Sequence, residues 1–489
     1  MVRCKMGKIA QTAAGLLLLL VMIGCSSGDD GTIPITTTSE KALENYLTGR
    51  DLAEKLRGQE SRRYFEMAVT EDPDFVLGHL QLAFSQPTNK SFFESFNRAL
   101  AGVDRVSEGE RLWVLGVDAA NNGDPMRQRE LYQKLVTAYP LDQRAWNLLG
   151  GHYFGQQEYD KSIEYYSKAI EIDSEFSAPY NQLGYAYRFQ EKYPEAETTF
   201  RKYITLIPDD PNPHDSYAEL LMKIGKFDES IENYSTALKI NPNFPASHAG
   251  IACDLTYLGK HAQAREQLDK LLADAKDDGQ RRFAHFVKVF TYVDEGNFDA
   301  AMEELKIREA FAEKISDYSA LAGDANLAGT VLLEAGKIDE AMAQFNLAVE
   351  YIEKSNLAED IKDNTRQVYH YNAGCVALKK NDIEAAKASL EAYSERARLT
   401  KSPFQIRALH QLAGMIALEE KDYNKAIEEL DKASQLNPYN FYRMARAYEG
   451  LKEKAKAREF YERAANFNAL NNLNQAFIRS RAAKAIASI

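Results

Sequence analysis

The sequence predicts an all-α fold, a right-handed α–α superhelix of about 10–12 stacked helical hairpins, and three observations lead to it. Small residues recur every 33 or 34 positions through the first half of the chain. Polar turn sequences such as GKFDES and GKIDEA separate segments whose apolar residues have helical spacing. The composition, 45% hydrophobic with 27 Gly and 14 Pro in 489 residues, is typical of an ordered chain.

The N-terminus, residues 1–24, has the parts of a secretory signal peptide: basic residues, a short apolar run, and Gly24 ahead of Cys25. The tetrapeptide MIGC at 22–25 is similar to the lipobox of bacterial lipoproteins, in which the cysteine is diacylated and becomes the new N-terminus. The resemblance implies a lipidated Cys25, and the alternative is a plain signal peptide. Residues 25–40 are small and polar, which predicts a flexible tether.

The lipobox resemblance implies a lipid-anchored, extracytoplasmic location in the bacterial cell envelope, at the outer membrane and facing the periplasm or the cell surface. No other apolar run approaches the length of a membrane span. A net charge of −12 disfavours nucleic acid as a partner, because phosphate binding needs a basic face. Cys253 and Cys375 lie far apart in the sequence, and we expect both to be free thiols.

Three consecutive segments, 145–173, 179–209 and 213–242, share a pattern of bulky and small residues. A bulky residue is followed three positions later by an apolar residue, then by Gly or Ala, then by a large residue. In the first segment these positions hold Trp146, Leu149, Gly150 and Tyr153. The pattern resembles the tetratricopeptide repeat, in which each unit is a helical hairpin that stacks on its neighbours.

The repeat pattern predicts four parts after the tether. These are degenerate repeats over 41–142, regular repeats over 143–272, longer and irregular repeats over 273–467, and a C-terminal capping helix over 468–489. A small residue in the second helix of each hairpin lets the two helices approach closely. The candidates for this position are Ser61, Ser95, Gln128, Ser162, Ala196, Ser230, Ala264, Ala301, Ala341, Ala386, Ala426 and Ala457.

The sequence contains no pattern that predicts catalysis, a metal site or a cofactor. There is no H-E-x-x-H, no G-x-S-x-G, no phosphate-binding glycine loop, and no closely spaced cysteine pair. His214, His248 and His410 fall where the repeat pattern has Trp or Tyr, so we expect packed rings with a polar tip. We therefore predict a non-enzymatic protein without metal or cofactor.

The tetratricopeptide resemblance implies a binding groove on the concave side. In this family the fifth, ninth, twelfth and thirteenth residues of each hairpin's first helix face inward. The candidate groove residues on this basis are Asn147, Phe154, Asn181, Tyr185, Arg188, Phe189, Asp215, Glu219, Met222, Lys223 and Tyr257. The alternative is that several of them only pack against adjacent repeats. The family's Lys- and Asn-based carboxylate clamp is absent at these positions.

The functional prediction is therefore a membrane-anchored scaffold or adaptor that binds a protein or peptide partner in its concave groove. An alternative is an accessory subunit of an envelope assembly, secretion or pilus-biogenesis complex. A third alternative is an enzyme or glycan-binding protein with its site in the irregular insertions.

Overall fold

The computed structural model describes residues 31–55, 57–400 and 402–489, and these residues form helices joined by short loops. Consecutive helices pair as twelve hairpins, numbered 1 to 12, and a last helix follows them. Hairpins 1 to 6 are α1 (Glu40–Glu54) with α2 (Gly58–Glu71), α3 (Val76–Phe84) with α4 (Asn89–Ala101), α5 (Glu108–Asn121) with α6 (Pro125–Ala138), α7 (Gln143–Gly155) with α8 (Tyr159–Ile172), α9 (Ala178–Phe189) with α10 (Tyr193–Leu206), and α11 (Pro211–Lys223) with α12 (Phe227–Ile240).

The second half of the chain continues the same arrangement. Hairpins 7 to 12 are α13 (Pro245–Tyr257) with α14 (His261–Asp274), α15 (Asp278–Glu295) with α16 (Phe298–Lys314), α17 (Tyr318–Glu334) with α18 (Ile338–Lys354), α19 (Glu359–Lys379) with α20 (Ile383–Thr400), α21 (Pro403–Glu419) with α22 (Tyr423–Lys432), and α23 (Pro438–Gly450) with α24 (Lys454–Ala465). The last helix is α25 (Leu473–Ser488). The predicted all-α array of helical hairpins is confirmed.

The predicted small position is the fourth residue of the second helix in every hairpin except hairpin 2. It is buried in each of these helices apart from the half-buried Gln128. Close packing is completed by a glycine of the first helix, because a Cβ added at Gly184 would lie 2.6 Å from the Phe200 ring. The two helices of a hairpin approach closely for this reason.

Ser95 is a wrong assignment in this register, because it is the seventh residue of α4 and not the fourth. The fourth residue is Phe92, whose ring packs 5.7 Å from that of Phe96 and 5.9 Å from that of Phe84. The first helix of hairpin 2 has only 9 residues, and a ring takes the place of the small side chain.

The turn between the two helices of hairpins 3 to 12 contains one residue in the left-handed region of backbone space. This residue is Gly123, Gln157, Glu191, Gly225, Gly259, Gly296, Gly336, Asn381, Lys421 or Lys452, with φ between 58° and 85°. The left-handed residue reverses the chain direction tightly enough for the two helices to pack.

First helices line the concave side of the superhelix, and second helices form its outer side. The first helices of neighbouring hairpins pack on one another, as α11, α13 and α15 do. Residues of α13 are buried almost all round, whereas α12 buries only Ser230, Tyr234 and Ala237. The longer spacing after residue 273 is taken up by longer helices, since α15 to α21 have 17 to 21 residues each.

One superhelical turn takes about seven hairpins, because side chains contact hairpins seven units further along. The Arg62 guanidinium of hairpin 1 lies 3.8 Å from the Asp277 carboxylate of hairpin 8. Asn89 of hairpin 2 donates to the Ser319 hydroxyl of hairpin 9 at 3.2 Å. Arg407 of hairpin 11 donates to the backbone carbonyl of Gln156 in hairpin 4. The second turn therefore lies directly on the first.

The segment before α1 is docked on the superhelix. The Ile33 amide donates to the Asp142 carboxylate at 2.9 Å, and the Thr36 amide donates to the Glu110 carboxylate at 2.8 Å. The flexible tether expected over 25–40 therefore does not include residues 33–36. Residues 1–30, with the signal peptide and Cys25, lie outside the described residues. No helix in the described part is long and apolar enough to span a bilayer.

Candidate functional site

The candidate groove residues of hairpins 4 and 5 are partly covered by other parts of the chain. Asn147 and Asn181 line a small cavity of about 220 Å³, which is also lined by the ion pair of Arg144 and Glu54. The Phe154 and Phe189 rings lie 5.6 Å apart in a half-buried aromatic cluster.

Polar groove residues of hairpins 5 to 7 form a buried network. The Arg188 guanidinium lies 2.8 Å from the Glu219 carboxylate, which accepts a hydrogen bond from the Tyr185 hydroxyl at 2.7 Å. The Asp215 carboxyl accepts a hydrogen bond from Ser247 at 2.6 Å. Burial raises the pKa of Asp215 to about 7, because its charged form loses solvation. These side chains bind one another.

The remaining candidates contact the C-terminal segment, residues 466–489, which lies inside the superhelix. The Lys223 ammonium donates to the carbonyl of Phe467 at 2.7 Å, and the Tyr257 hydroxyl donates to that of Ala469. Met222 is fully buried in the core cluster that includes α25. We call the concave face of α9, α11, α13 and α15 the central groove; the C-terminal segment covers its part on α11, α13 and α15.

Helix α25 is held in the central groove by apolar packing and by a buried ion pair. Ile478 and Ala482 are fully buried, and Phe477 stacks 6.4 Å from Phe298. The Arg479 guanidinium donates to the Asp294 carboxylate at 2.8 Å. Burial alone would raise the pKa of Asp294. Its hydrogen bonds with Arg479 and His261 have the larger combined effect, so the pKa lies below its usual value. The helix expected as a terminal cap is thus also packed on the concave side of hairpin 8.

A larger concave space remains open in the second turn, with a volume of about 750 Å³. It lies between the first helices of hairpins 9 to 12 and α25, and we call it the C-terminal cavity. Its aromatic and apolar lining includes Tyr371, Phe404, Met415, Tyr439, Tyr442 and Phe477. Phe404 is 66% exposed and Val368 is 41% exposed, so two large apolar side chains are accessible from solvent at its edge.

The C-terminal cavity is lined by five basic residues, Lys379, Arg407, Arg443, Arg446 and Arg481, and by two acidic residues, Glu334 and Glu419. Two of the arginines are paired, with Arg481 2.9 Å from Glu334 and Arg446 3.5 Å from Glu419. Burial lowers the pKa of the Arg407 guanidinium. The cavity therefore combines aromatic surfaces with an excess of positive charge.

The groove rule applied to hairpins 4 to 7 would also have found this cavity. In hairpins 10 and 11 the same four positions are Tyr371, Cys375, Leu378 and Lys379, then Gln411, Met415, Leu418 and Glu419, and all eight line it. The contributions of Arg443, Phe477 and Arg481 do not follow from that rule. Arg443 lies at another position of α23, and Phe477 and Arg481 lie on α25, which follows the last hairpin.

The described residues contain no group of three side chains that could hold a metal ion. His248 packs with a polar tip as predicted, since its ring lies 2.9 Å from the carbonyl of Pro242 and 2.8 Å from Gln267. Trp146 makes the equivalent bond to the carbonyl of Pro140, also six residues earlier. Cys253 and Cys375 are free, as predicted.

Comparison with known families supports the repeat assignment. Tetratricopeptide repeat models match residues 142–209, 368–398, 406–440 and 439–467, and a TPR repeat model matches residues 218–252. These ranges contain hairpins 4 and 5 in full and most of hairpins 10, 11 and 12. The chain therefore contains tetratricopeptide repeats.

Solved structures that match this chain include the APC/C hetero-tetramer Cut9–Hcn1, with 14% identity, a TM-score of 0.40, and 86% of this chain aligned to 76% of that one. Another is MamA, with 22% identity, a TM-score of 0.28, and 32% of this chain aligned to 92% of that one. No curated protein matches the sequence. The fold assignment is accordingly based on the helices and repeats of this chain.

Proposed function

We propose that this array of tetratricopeptide repeats is a non-enzymatic scaffold that holds a segment of a partner protein in the C-terminal cavity. The observation that carries the proposal is the open, preformed concave space of about 750 Å³ between hairpins 9 and 12. Ligand sites in proteins have volumes of this order and combine an apolar lining with a few placed polar groups.

The lining of the C-terminal cavity supports binding of a protein segment. Exposed aromatic residues and arginines are the side chains that contribute most to binding energy at protein interfaces. Phe404 and Val368 are exposed at the edge of the cavity, and Tyr371 and Tyr442 line it. Met415, with its flexible thioether, can adapt to the shape of a bound side chain.

The partner can be tested by photo-crosslinking from the cavity in cells. A benzophenone amino acid in place of Phe404 should give a crosslinked protein adduct. The same probe in place of Met67, which is 45% exposed on α2, is the matched control and should not give that adduct. Ala408→Trp, which fills the cavity, should abolish the adduct. An adduct that persists in Ala408→Trp would contradict the proposed site.

The stoichiometry of the crosslinked complex separates two forms of the scaffold function. Several substoichiometric partners would favour an adaptor. A single stoichiometric partner would favour an accessory subunit of an envelope assembly, secretion or pilus-biogenesis complex.

We further propose that Cys25 is lipidated and anchors the scaffold in the bacterial cell envelope, outside the cytoplasm. The support is the sequence MIGC at 22–25 behind a signal-peptide pattern. The eight residues from Cys25 to Ile33 reach at most about 28 Å when fully extended. Since Ile33 is docked on Asp142, a lipid at Cys25 would keep the N-terminal end of the superhelix near the bilayer.

The anchor is tested by fractionation. Cys25→Ala should move the protein from the membrane fraction to the soluble fraction, because the acyl chains supply the membrane affinity. Cys4→Ala is the matched control and should leave the membrane fraction unchanged. Membrane association that survives Cys25→Ala would overturn the lipid anchor.

A further inference from the structure

Only some of the basic side chains of the C-terminal cavity have a carboxylate partner. Arg481 and Arg446 have carboxylate partners, whereas Arg407 and Arg443 have none within 4.0 Å in the described part of the chain. The whole chain is acidic, with a net charge of −12, so this local excess of positive charge stands out. Unpaired arginines on a concave surface favour a negatively charged ligand.

Arg407 has a hydrogen-bonding group without a partner. One end of its guanidinium donates to the carbonyl of Gln156, but the other terminal nitrogen, Nη1, is buried without any acceptor. A buried donor without an acceptor is costly, and it gains free energy when a ligand supplies an oxygen. Arg407, which also lines the cavity, therefore has a donor that no group in the described part of the chain uses.

Arg443 is held in position by neutral groups only. Its Nη1 donates to the Asn440 side-chain oxygen at 3.0 Å, and its guanidinium carbon lies 4.0 Å from the centre of the Tyr439 ring. These contacts fix the planar guanidinium without neutralising its charge. A carboxylate that reaches Arg443 can form a charge-assisted hydrogen bond at little entropic cost.

Two helix N-termini add to the positive potential. Asn437, the N-cap residue of α23, and Leu473 and Asn474, the first two residues of α25, all line the cavity. The N-terminal end of a helix carries partial positive charge. Much of the remaining lining is aromatic or apolar, which suits an organic ligand better than a bare inorganic anion.

We propose that the C-terminal cavity binds an acidic peptide segment, with carboxylates at Arg407 and Arg443 and an apolar side chain against Tyr371 and Met415. The inference rests on the proposed scaffold function and specifies the chemistry of its partner.

A selection from a random dodecapeptide library, with the full chain as bait, tests the inference without knowledge of the partner. Peptides that also bind the cavity-filled Ala408→Trp variant are removed by counter-selection. We expect the remaining peptides to be enriched in Asp and Glu next to an aromatic or aliphatic residue. Cavity-dependent peptides without acidic enrichment would overturn the inference and leave the scaffold function standing, whereas no cavity-dependent peptide at all would overturn both.

Fluorescence anisotropy with one selected peptide then tests the arginines. Arg443→Gln should weaken binding by about tenfold or more, and Arg443→Lys, which keeps the charge, should weaken it less. Arg398→Gln, an exposed arginine of α20 outside the cavity, is the matched control and should leave the affinity unchanged within about twofold. Equal affinity of Arg443→Gln and the parent would overturn the proposal.

Two probes distinguish a peptide from other anions. Replacement of the acidic residues of the selected peptide by Asn and Gln should abolish binding, and added salt should weaken it. Inorganic phosphate at a concentration of equal ionic strength should displace the peptide no better than chloride does. Specific displacement by phosphate would show a phosphate site and overturn the acidic-peptide proposal.

Discussion

The central groove and the C-terminal cavity are both built mainly from the first helices of their hairpins, yet one is filled and the other is open. On α11, α13 and α15 the concave positions are engaged by the C-terminal segment, as in the contacts of Lys223 with Phe467 and of Arg479 with Asp294. In hairpins 9 to 12 the equivalent positions line a space of about 750 Å³.

The contrast teaches that a tetratricopeptide hairpin provides a concave surface but does not decide what occupies it. In the central groove Arg188 and Arg479 each pair with a carboxylate of the chain, Arg188 with Glu219 and Arg479 with Asp294. In the C-terminal cavity Arg407 and Arg443 have no carboxylate partner among the residues described. Arginines that are paired within the chain contribute to stability, whereas unpaired arginines on a concave surface are available for binding.

The largest expected effect comes from a pair of matched arginine variants. Arg479→Met leaves the Asp294 carboxylate, whose side chain is 1% exposed, without its main partner and should lower the free energy of unfolding by about 3–5 kcal/mol. Arg443→Met removes no ion pair and should cost about 1 kcal/mol or less. Urea denaturation, with hydrogen exchange of α15 and α25, measures both. Equal losses of unfolding free energy in the two variants would mean that the arginine of the central groove stabilises the fold no more than the arginine of the C-terminal cavity does.

The pH dependence of stability should also come from the central groove. Burial raises the pKa of Asp215 to about 7 and that of Asp254 to about 8. The folded chain then keeps protons that the unfolded chain releases near pH 4, so stability falls as the pH rises from about 4 to 8. Asp254→Asn cannot ionise and should remove about 2 kcal/mol of that fall between pH 5 and 7.

The control for this pH effect is Asp118→Asn. Burial also raises the pKa of Asp118, but the residue lies on α5, away from the central groove, and is only half-buried. Its replacement should leave most of the slope in place. A slope that is the same in Asp254→Asn and in the parent would show that Asp254 is ionised in the folded chain.

A smaller effect is expected from a pair of tyrosines. Tyr257→Phe removes the hydroxyl that donates to the carbonyl of Ala469 and should cost about 1–3 kcal/mol, because a buried acceptor loses its donor. Tyr371→Phe, in the wall of the C-terminal cavity, should lower the free energy of unfolding by about 1 kcal/mol or less. The polar groups that contact this hydroxyl can bind water in the open cavity once it is removed. Thermal unfolding of the two variants gives the comparison, and a larger cost for Tyr371→Phe would reverse it.

The repeat was predictable because its cause is local. Ala196 and Ser230 are fully buried, and the Ser230 hydroxyl donates to the Ala218 carbonyl of the partner helix. This requirement for a small buried residue returns with nearly every hairpin. The prediction failed at Ser95, where the short α3 leaves room for Phe92. A fixed spacing cannot reveal that one helix has lost a turn.

The occupant of the groove was not predictable from spacing. Ala482 and Ile486 are four residues apart, the spacing of one face of an amphipathic helix, which fits a cap on the last repeat as well as a helix inside the superhelix. The choice depends on the seven-hairpin turn, which brings α25 next to α13 and α15. That geometry is the sum of small rotations over the whole array and leaves no signal in any single repeat.

The smallest expected effect concerns the turns that support the two surfaces. Around the central groove the left-handed turn residues include Gly225, Gly259 and Gly296, whereas the last three hairpins have Asn381, Lys421 and Lys452. A lysine in the left-handed region is strained by about 1 kcal/mol, and the loss of unfolded-state freedom offsets part of that strain.

A lysine in a turn beside the central groove and a glycine in a turn beside the C-terminal cavity should change stability in opposite directions. Gly259→Lys should destabilise the chain by about 1 kcal/mol, although a Cβ added there meets no atom within 4 Å. Lys421→Gly should stabilise hairpin 11 by about 0.5 kcal/mol and slow hydrogen exchange in α21 and α22. If Lys421→Gly speeds that exchange, the side chain of Lys421 stabilises the turn. The turns beside the C-terminal cavity would then not be more strained than those around the central groove.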